Sequence, residues 1–350
     1  MARAALQIDL DAITANWRAL DGQSGAACET AAVVKADAYG LGAGPVARAL
    51  AQAGVRRFFV ALAEEGAALR KVLGNAPEIY VLSGHMPGDT ELLGQLALTP
   101  MLNSLDQVTR HFESLPGAPF GVQLDTGMNR LGMEAGEWQA VAPILLGAGP
   151  RLLLSHLACA DEPGHPANAA QLAEFRRMTD GTAVARSFAA TGGILLGRDY
   201  HFDLTRPGIG LYGGAPFAEA RPVLRLSLPV VQQREVLAGE TVGYGCAWRA
   251  ATDSTIATVA AGYADGLLRA LAGGAQLWAE GTACPVVGRI SMDLITVDVT
   301  HLDRLPEALD ILCPEQGIDA LADAAGTIGY EVLTGLGARY RRSYSGGGAA

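Results

Sequence analysis

One rhythm constrains most of the chain. From Val33 onward a short apolar run of strand character gives way to a helical stretch, and the pattern returns over about two hundred residues. Strand candidates fall at 31–34, 58–61, 79–82, 99–102, 120–124, 152–156, 185–189 and 202–204, with helical segments at 46–53, 64–73, 105–115, 137–146 and 168–178. Runs this apolar suit strands covered on both faces, and their alternation with helices predicts parallel pairing. Eight such units predict a (β/α)8 barrel. A doubly wound dinucleotide fold fits less well, because Gly40, Gly42 and Gly44 do not have the G-x-G-x-x-G spacing.

Two stretches lie outside the rhythm. Residues 5–9 read as a strand and 10–20 as a helix before the first barrel unit. After Gly213 the texture changes to short β-type runs at 223–231, 254–260, 275–279, 284–287 and 295–299, with glycine-rich turns and few helices between them. The expected division is 1–215 for the barrel, 216–344 for a mainly β domain and 345–350, SGGGAA, for a flexible tail.

Composition narrows the partners. A formal net charge of −10 without a basic cluster opposes binding to nucleic acid or to an anionic membrane surface, so small metabolites are the expected partners. The five cysteines (Cys28, Cys159, Cys246, Cys284, Cys313) are scattered and odd in number, which fits reduced thiols. Asp9 and Asp11 interrupt the start before an apolar core of signal length develops, and no later stretch is long enough to span a bilayer. The expected compartment is the cytoplasm.

Lys35 ends the first barrel strand and precedes a tyrosine and a glycine-rich turn. An amine held at a strand end in low-dielectric surroundings loses solvation, its pKa falls, and the neutral form becomes a nucleophile toward an aldehyde. The same residues equally suit a lysine that emerges into solvent where its strand ends. The loops after strands seven and eight carry Thr191-Gly192-Gly193 and Arg206-Pro207-Gly208-Ile209. Barrel phosphate sites commonly use those two loops, and backbone N–H groups at glycines beside a threonine hydroxyl suit a dianion. Alone, RPGI is also a plain turn, and Arg206 could pair with Asp203 on the rim. His156, Cys159 and His165 hint at a metal, but a fourth ligand is missing and no zinc spacing is met, so none is expected.

The run VVKADAYGLG closely resembles the cofactor-attachment segment of the alanine racemases, which bind pyridoxal 5′-phosphate on a barrel of the third fold type of such enzymes, and later segments match in the same order from about Leu6 to Tyr344. The resemblance implies that Lys35 carries the cofactor and that Tyr39, Thr191, Gly208 and Ile209 surround its phosphate. It sets Arg206 against the pyridine nitrogen. An arginine stays protonated and cannot give the ring a proton, which keeps the ring a weaker electron sink and favours prompt return of a proton over transamination. The second base is implied to be Tyr263, in AAGYADG, with His156 linking it to Arg206 and positive charge lowering its pKa from near 10. Arg130, Met292 and Asp293 match substrate-binding positions, and Tyr344 matches a tyrosine packed against the cofactor. Gln123 departs from relatives that carry a charged, carbamylated lysine there; a glutamine can accept a bond from Arg130 but supplies no charge. The resemblance further implies that the strand near Leu6 joins the β domain and that the chain forms a head-to-tail homodimer with shared sites.

The expected activity is interconversion of L- and D-alanine by two bases on opposite faces, supplying D-alanine for peptidoglycan. A racemase of broader range, a decarboxylase of the same architecture and a non-catalytic cofactor carrier are the alternatives. Arg206 in place of a glutamate weighs against the decarboxylase, and the β domain with Tyr263 against the carrier.

Overall fold

The computed structural model describes residues 3–304 and 306–348, which divide into two units: one of 3–12 with 221–346, the other of 13–220 with 347–348. The second unit holds the strand-helix rhythm. Strand one is Glu29–Thr30 and Ala32–Val33; Arg57–Val60, Glu78–Val81, Thr99–Leu102, Gly121–Gln123, Leu153–Leu154 and Arg186–Ser187 follow it in parallel order. Ala32 pairs with Phe58, Phe58 with Ile79, and Val122 with Leu153, so the register advances steadily round the sheet. Strand eight, Leu204–Thr205, closes the ring. It pairs with Glu29–Thr30 on one side, and on the other the Arg206 N–H donates to the Ala189 carbonyl at 2.9 Å.

Strands buried on both faces need apolar side chains throughout, which is why Phe58, Phe59, Ile79, Val81, Met101 and Val122 are all fully buried. Strands seven and eight are shorter than the spans expected for them. Phe202 has a φ of 55°, which ends extended backbone there, and the Asp203 carboxylate accepts the Arg186 N–H at 2.8 Å in place of a ladder bond. The intervening helices carry their own end signals. Ser104 accepts the Gln107 N–H at the start of Leu105–Ser114, and Pro166 opens Pro166–Thr179 behind the His165 ring. Behind strand three a loop is fastened to Leu105–Ser114 through His85, whose Nδ1 lies 3.2 Å from Nδ1 of His111 and whose Nε2 lies 2.9 Å from the Thr90 hydroxyl.

The other unit is an antiparallel sheet with one parallel edge. Its spine is the thirteen-residue strand Leu224–Val236, which pairs with Ala5–Asp9 and Ala308–Leu312 along its first part and, past a register shift at Val230, with Ser254–Val259. Ala5–Asp9 in turn takes Arg341–Ser345 as a parallel neighbour, Ala5 opposite Arg341 and Asp9 opposite Ser345. Ser345, expected to open a tail, is thus the last residue of a strand, while 349–350 lie outside the described residues. Two short helices not foreseen from the sequence, Ile318–Ala325 and Gly329–Gly335, complete this unit. Among the described residues no helix is long and apolar enough to cross a membrane, and no group of three or more His, Cys, Asp or Glu could hold a metal ion.

Candidate active site

Lys35 stands where strand one ends, at the carboxyl mouth of the barrel. Burial pulls its pKa below the ordinary lysine value, the charge of Arg130 pulls it further, and Glu65 opposes both. The chain then turns with the wrong hand. Ala36, Asp37, Ala38 and Tyr39 have φ of 52°, 55°, 53° and 56°, a left-handed turn that costs an L-residue roughly 1–2 kcal/mol each. Gly40, at φ 83°, ends it.

The turn delivers Tyr39 into the interior, its ring centroid 4.6 Å from that of Tyr212, whose hydroxyl donates to the Val33 carbonyl at 2.9 Å. A Cβ at Gly208 would stand 2.3 Å from the Tyr39 hydroxyl, so position 208 can only be glycine with the tyrosine where it is. The Thr191 hydroxyl accepts the N–H groups of Gly208 and Gly210 at 3.1 and 3.2 Å, which knits the loop after strand seven to the loop after strand eight. Gly192 is packed so closely on Ala160 that an added Cβ would meet it at 2.9 Å. Lys35, Tyr39, Thr191, Gly208 and Ile209 are therefore brought to one end of the barrel. A small anionic aldehyde suits them: hydroxyls and backbone amides for the anion, an amine for the carbonyl.

Arg206 is buried, and burial lowers its pKa to about 9, so it remains a cation near neutrality. Its guanidinium donates to the Ser155 carbonyl at 2.8 Å and to the Ser187 hydroxyl, and lies 5.8 Å from the Phe59 ring centroid. It does not take the alternative pairing with Asp203: the guanidinium donates to Ser155 and Ser187, while the Asp203 carboxylate accepts the Arg186 N–H. His156 follows the serine that holds Arg206. Burial, then the charges of Arg206, Arg130 and Lys35, push its pKa down to about 3, leaving a neutral ring. Gln171 fixes this loop by donating to the His156 carbonyl at 3.0 Å and accepting the Ala158 N–H at 2.9 Å. Gln123 ties to the backbone. Its amide donates to the Leu131 carbonyl at 3.2 Å, holding the backbone beside the exposed Arg130 rather than aiming the guanidinium.

Ser155, Ser187 and Tyr212 were not singled out in the sequence. Only the register that sets Leu154 opposite Ser187 brings both serines to Arg206, and nothing local announces it.

In the β unit a second group of candidates converges. The Tyr263 N–H donates to Ser291 O at 3.1 Å and the Ala264 N–H to Met292 O at 3.0 Å, so Tyr263, Met292 and Asp293 sit on two loops bonded back to back. Arg339 fastens them, with a two-pronged bond to Asp265 at 2.6 and 2.7 Å and a third to Asp293 at 2.7 Å. Tyr263 and Met292 keep 44% and 53% of their surface exposed. Tyr344 lies in the edge strand opposite Ile8 and is also exposed.

A lysine with a depressed pKa at the mouth of a (β/α)8 barrel, joined to a β unit that displays a tyrosine, defines a class of barrel enzymes built for amine-carbonyl chemistry. Residues 8–216 match the alanine racemase N-terminal domain and 223–344 the alanine racemase C-terminal domain. The chain belongs to the alanine racemase family. It is 69% identical over 347 residues to the alanine racemase of Dinoroseobacter shibae, with 99% of each chain covered. It is 46% identical to a protein of Agrobacterium fabrum named as a catabolic alanine racemase, covering 97% of this chain and 91% of that one. Among solved structures, alanine racemase from Bartonella henselae with covalently bound pyridoxal phosphate superposes with a TM-score of 0.93 at 39% identity, covering 99% of this chain and 100% of that one.

Proposed function

We propose that the protein interconverts L- and D-alanine with pyridoxal 5′-phosphate and supplies D-alanine for peptidoglycan. One observation carries the reading: a half-buried amine at the end of strand one, beside loops tied together through Thr191 and Gly208. When bound, the cofactor supplies the electron sink that lets an α-proton leave. The chain's own residues do the rest. Lys35 holds the cofactor carbonyl and, once freed, moves the α-proton on the D face. Tyr39, Thr191 and the Ile209 amide would hold the phosphate, joined by the Gly208 amide as it turns from the Thr191 hydroxyl. Arg206 donates toward the ring nitrogen without giving up its proton, and neutral His156 bridges toward Tyr263, which moves the proton on the L face. Arg130, Met292 and Asp293 receive the substrate carboxylate and side chain, and Tyr344 narrows the approach.

The active unit is proposed to be a homodimer in which Tyr263 of the partner subunit completes each site. The exposed surface of Tyr263 and Met292 supports this, because a base and an apolar contact residue need a cover. Five free cysteines support a reducing, cytoplasmic compartment.

The test uses a feature of composition. Lys35 and Lys71 are the only lysines in the chain, so borohydride reduction of the purified protein followed by peptide mass analysis has two side-chain amines to choose between. The pyridoxyl group is expected on Lys35, and optical rotation of single-enantiomer alanine should decay to zero. A label on Lys71, or no change in rotation, overturns the proposal.

A further inference from the structure

Four successive non-glycine residues in the left-handed region do not hold themselves there; such strain persists where the surroundings over-determine it. The ties on the turn after Lys35 identify what does so. Within the turn and its exit, the Ala38 N–H donates to Val34 O at 2.9 Å and Asp37 accepts the Ala43 N–H at 2.7 Å. One tie reaches into the next strand-helix unit. Glu65, in the first turn of helix Ala63–Leu73, accepts the Ala36 N–H on Oε1 at 2.7 Å, while its Oε2 accepts the N–H groups of Ala61 and Leu62 at 2.7 and 3.2 Å. A capping-box glutamate ordinarily reaches back to the entry of its own helix. This one divides its oxygens between that entry and the residue that follows Lys35.

We propose that Glu65 is a positioning residue for Lys35: its carboxylate joins the end of strand two to the left-handed turn after strand one and so fixes the direction of the amine. The proposal rests on reading Lys35 as the cofactor-bearing base. Charge adds to geometry here. Glu65 holds up the Lys35 pKa against burial and Arg130, so the carboxylate also sets how readily that amine gives up a proton.

The test compares the holoenzyme with Glu65→Gln and Glu65→Ala, using Glu64→Gln as the exposed neighbour control. Glutamine keeps one acceptor oxygen, which can serve Ala36 or Ala61 but not both, and it carries no charge. Loss of aim should lower kcat by about a hundredfold in Glu65→Ala with KM for alanine within about threefold, and less in Glu65→Gln. Two further readouts separate positioning from mere folding. Release of the cofactor to hydroxylamine should be about tenfold faster. With D-alanine as substrate the acidic limb of the pH profile should move to lower pH, because the carboxylate that raises the Lys35 pKa is gone; with L-alanine it should stay. If Glu65→Ala does not fold, the limb shift and hydroxylamine release of Glu65→Gln decide. Folded variants with the parent's kcat, release rate and limb overturn the positioning role while leaving Lys35 as the attachment site. A parent that carries no pyridoxyl group on Lys35 overturns the function and this proposal together.

Discussion

His85 and His111 share a buried hydrogen bond whose polarity the rest of the network assigns. His111 Nε2 faces the Ala118 carbonyl at 3.4 Å and so carries a proton, which leaves its Nδ1 as acceptor. His85 Nδ1 is then the donor, and its Nε2 accepts from the Thr90 hydroxyl. Near pH 7 both rings are neutral, as this arrangement has them. Burial, with His111 and Arg110 adding to it, pulls the His85 pKa down to about 4, and burial lowers that of His111. The unfolded chain binds a proton at about 6.5. As pH falls from 6.5 toward 4, the unfolded chain therefore takes up protons that the folded chain refuses, and stability is lost; above 6.5 it is fully present. At pH 4.5 the His85 contribution to that loss is about 2–3 kcal/mol. Denaturant midpoints at pH 7 and 4.5 should show a smaller drop in His85→Gln than in the parent, although the variant starts lower. An equal drop would place the acid sensitivity elsewhere, His156 being the next group to examine.

At the scale of elements, the turn that presents Tyr263 is held by backbone contacts that leave no room for side chains. Gly266 has a φ of 91°, and a Cβ there would stand 1.9 Å from the Gly335 carbonyl oxygen. Gly266→Ala combines left-handed strain with a backbone collision and should cost roughly 2–4 kcal/mol of stability. The loss should fall unevenly: racemisation should be suppressed while borohydride still traps the cofactor on Lys35, since the barrel is unaltered. Trapping lost in step with activity would show that the damage is global. The barrel strands were readable because a strand covered on both faces has to be apolar throughout. Strand seven was read too long because its ends are set by the Asp203 side chain and by Phe202, not by composition. The left-handed turn was unreadable for a related reason. Ala-Asp-Ala-Tyr suits an ordinary helix start, and its hand is decided by ties such as that of Ala36 to Glu65, which belongs to the next strand-helix repeat. The same holds within the site: Lys35, Thr191 and Gly208 could be located from strand order, whereas the partners of Arg206 depend on register.

For the whole molecule, the proposed dimer makes a quantitative prediction. Lys35→Ala and Tyr263→Ala chains, each inactive alone, are unfolded and refolded together, and about half of the dimers should be mixed. Each mixed dimer has one site with both lesions and one with neither. Roughly a quarter of all sites should regain full activity. Mixed dimers that form but stay inactive would mean that each site is built within one chain. The sheet that carries Tyr263 has a further consequence, and it concerns time. Ala5–Asp9 has Leu224–Val236 and Arg341–Ser345 as its neighbours, so this strand waits for partners made more than two hundred residues after it. At roughly 5–20 residues added per second, that wait is tens of seconds. The barrel needs nothing beyond strand eight to close its ring and can do so meanwhile. Leu6 and Ile8, wholly buried in the finished protein, have no sheet to enter during that interval. The order of synthesis therefore sets the order of pairing: Ala5–Asp9 can enter its sheet only after Leu224–Val236 has been made, more than two hundred residues later.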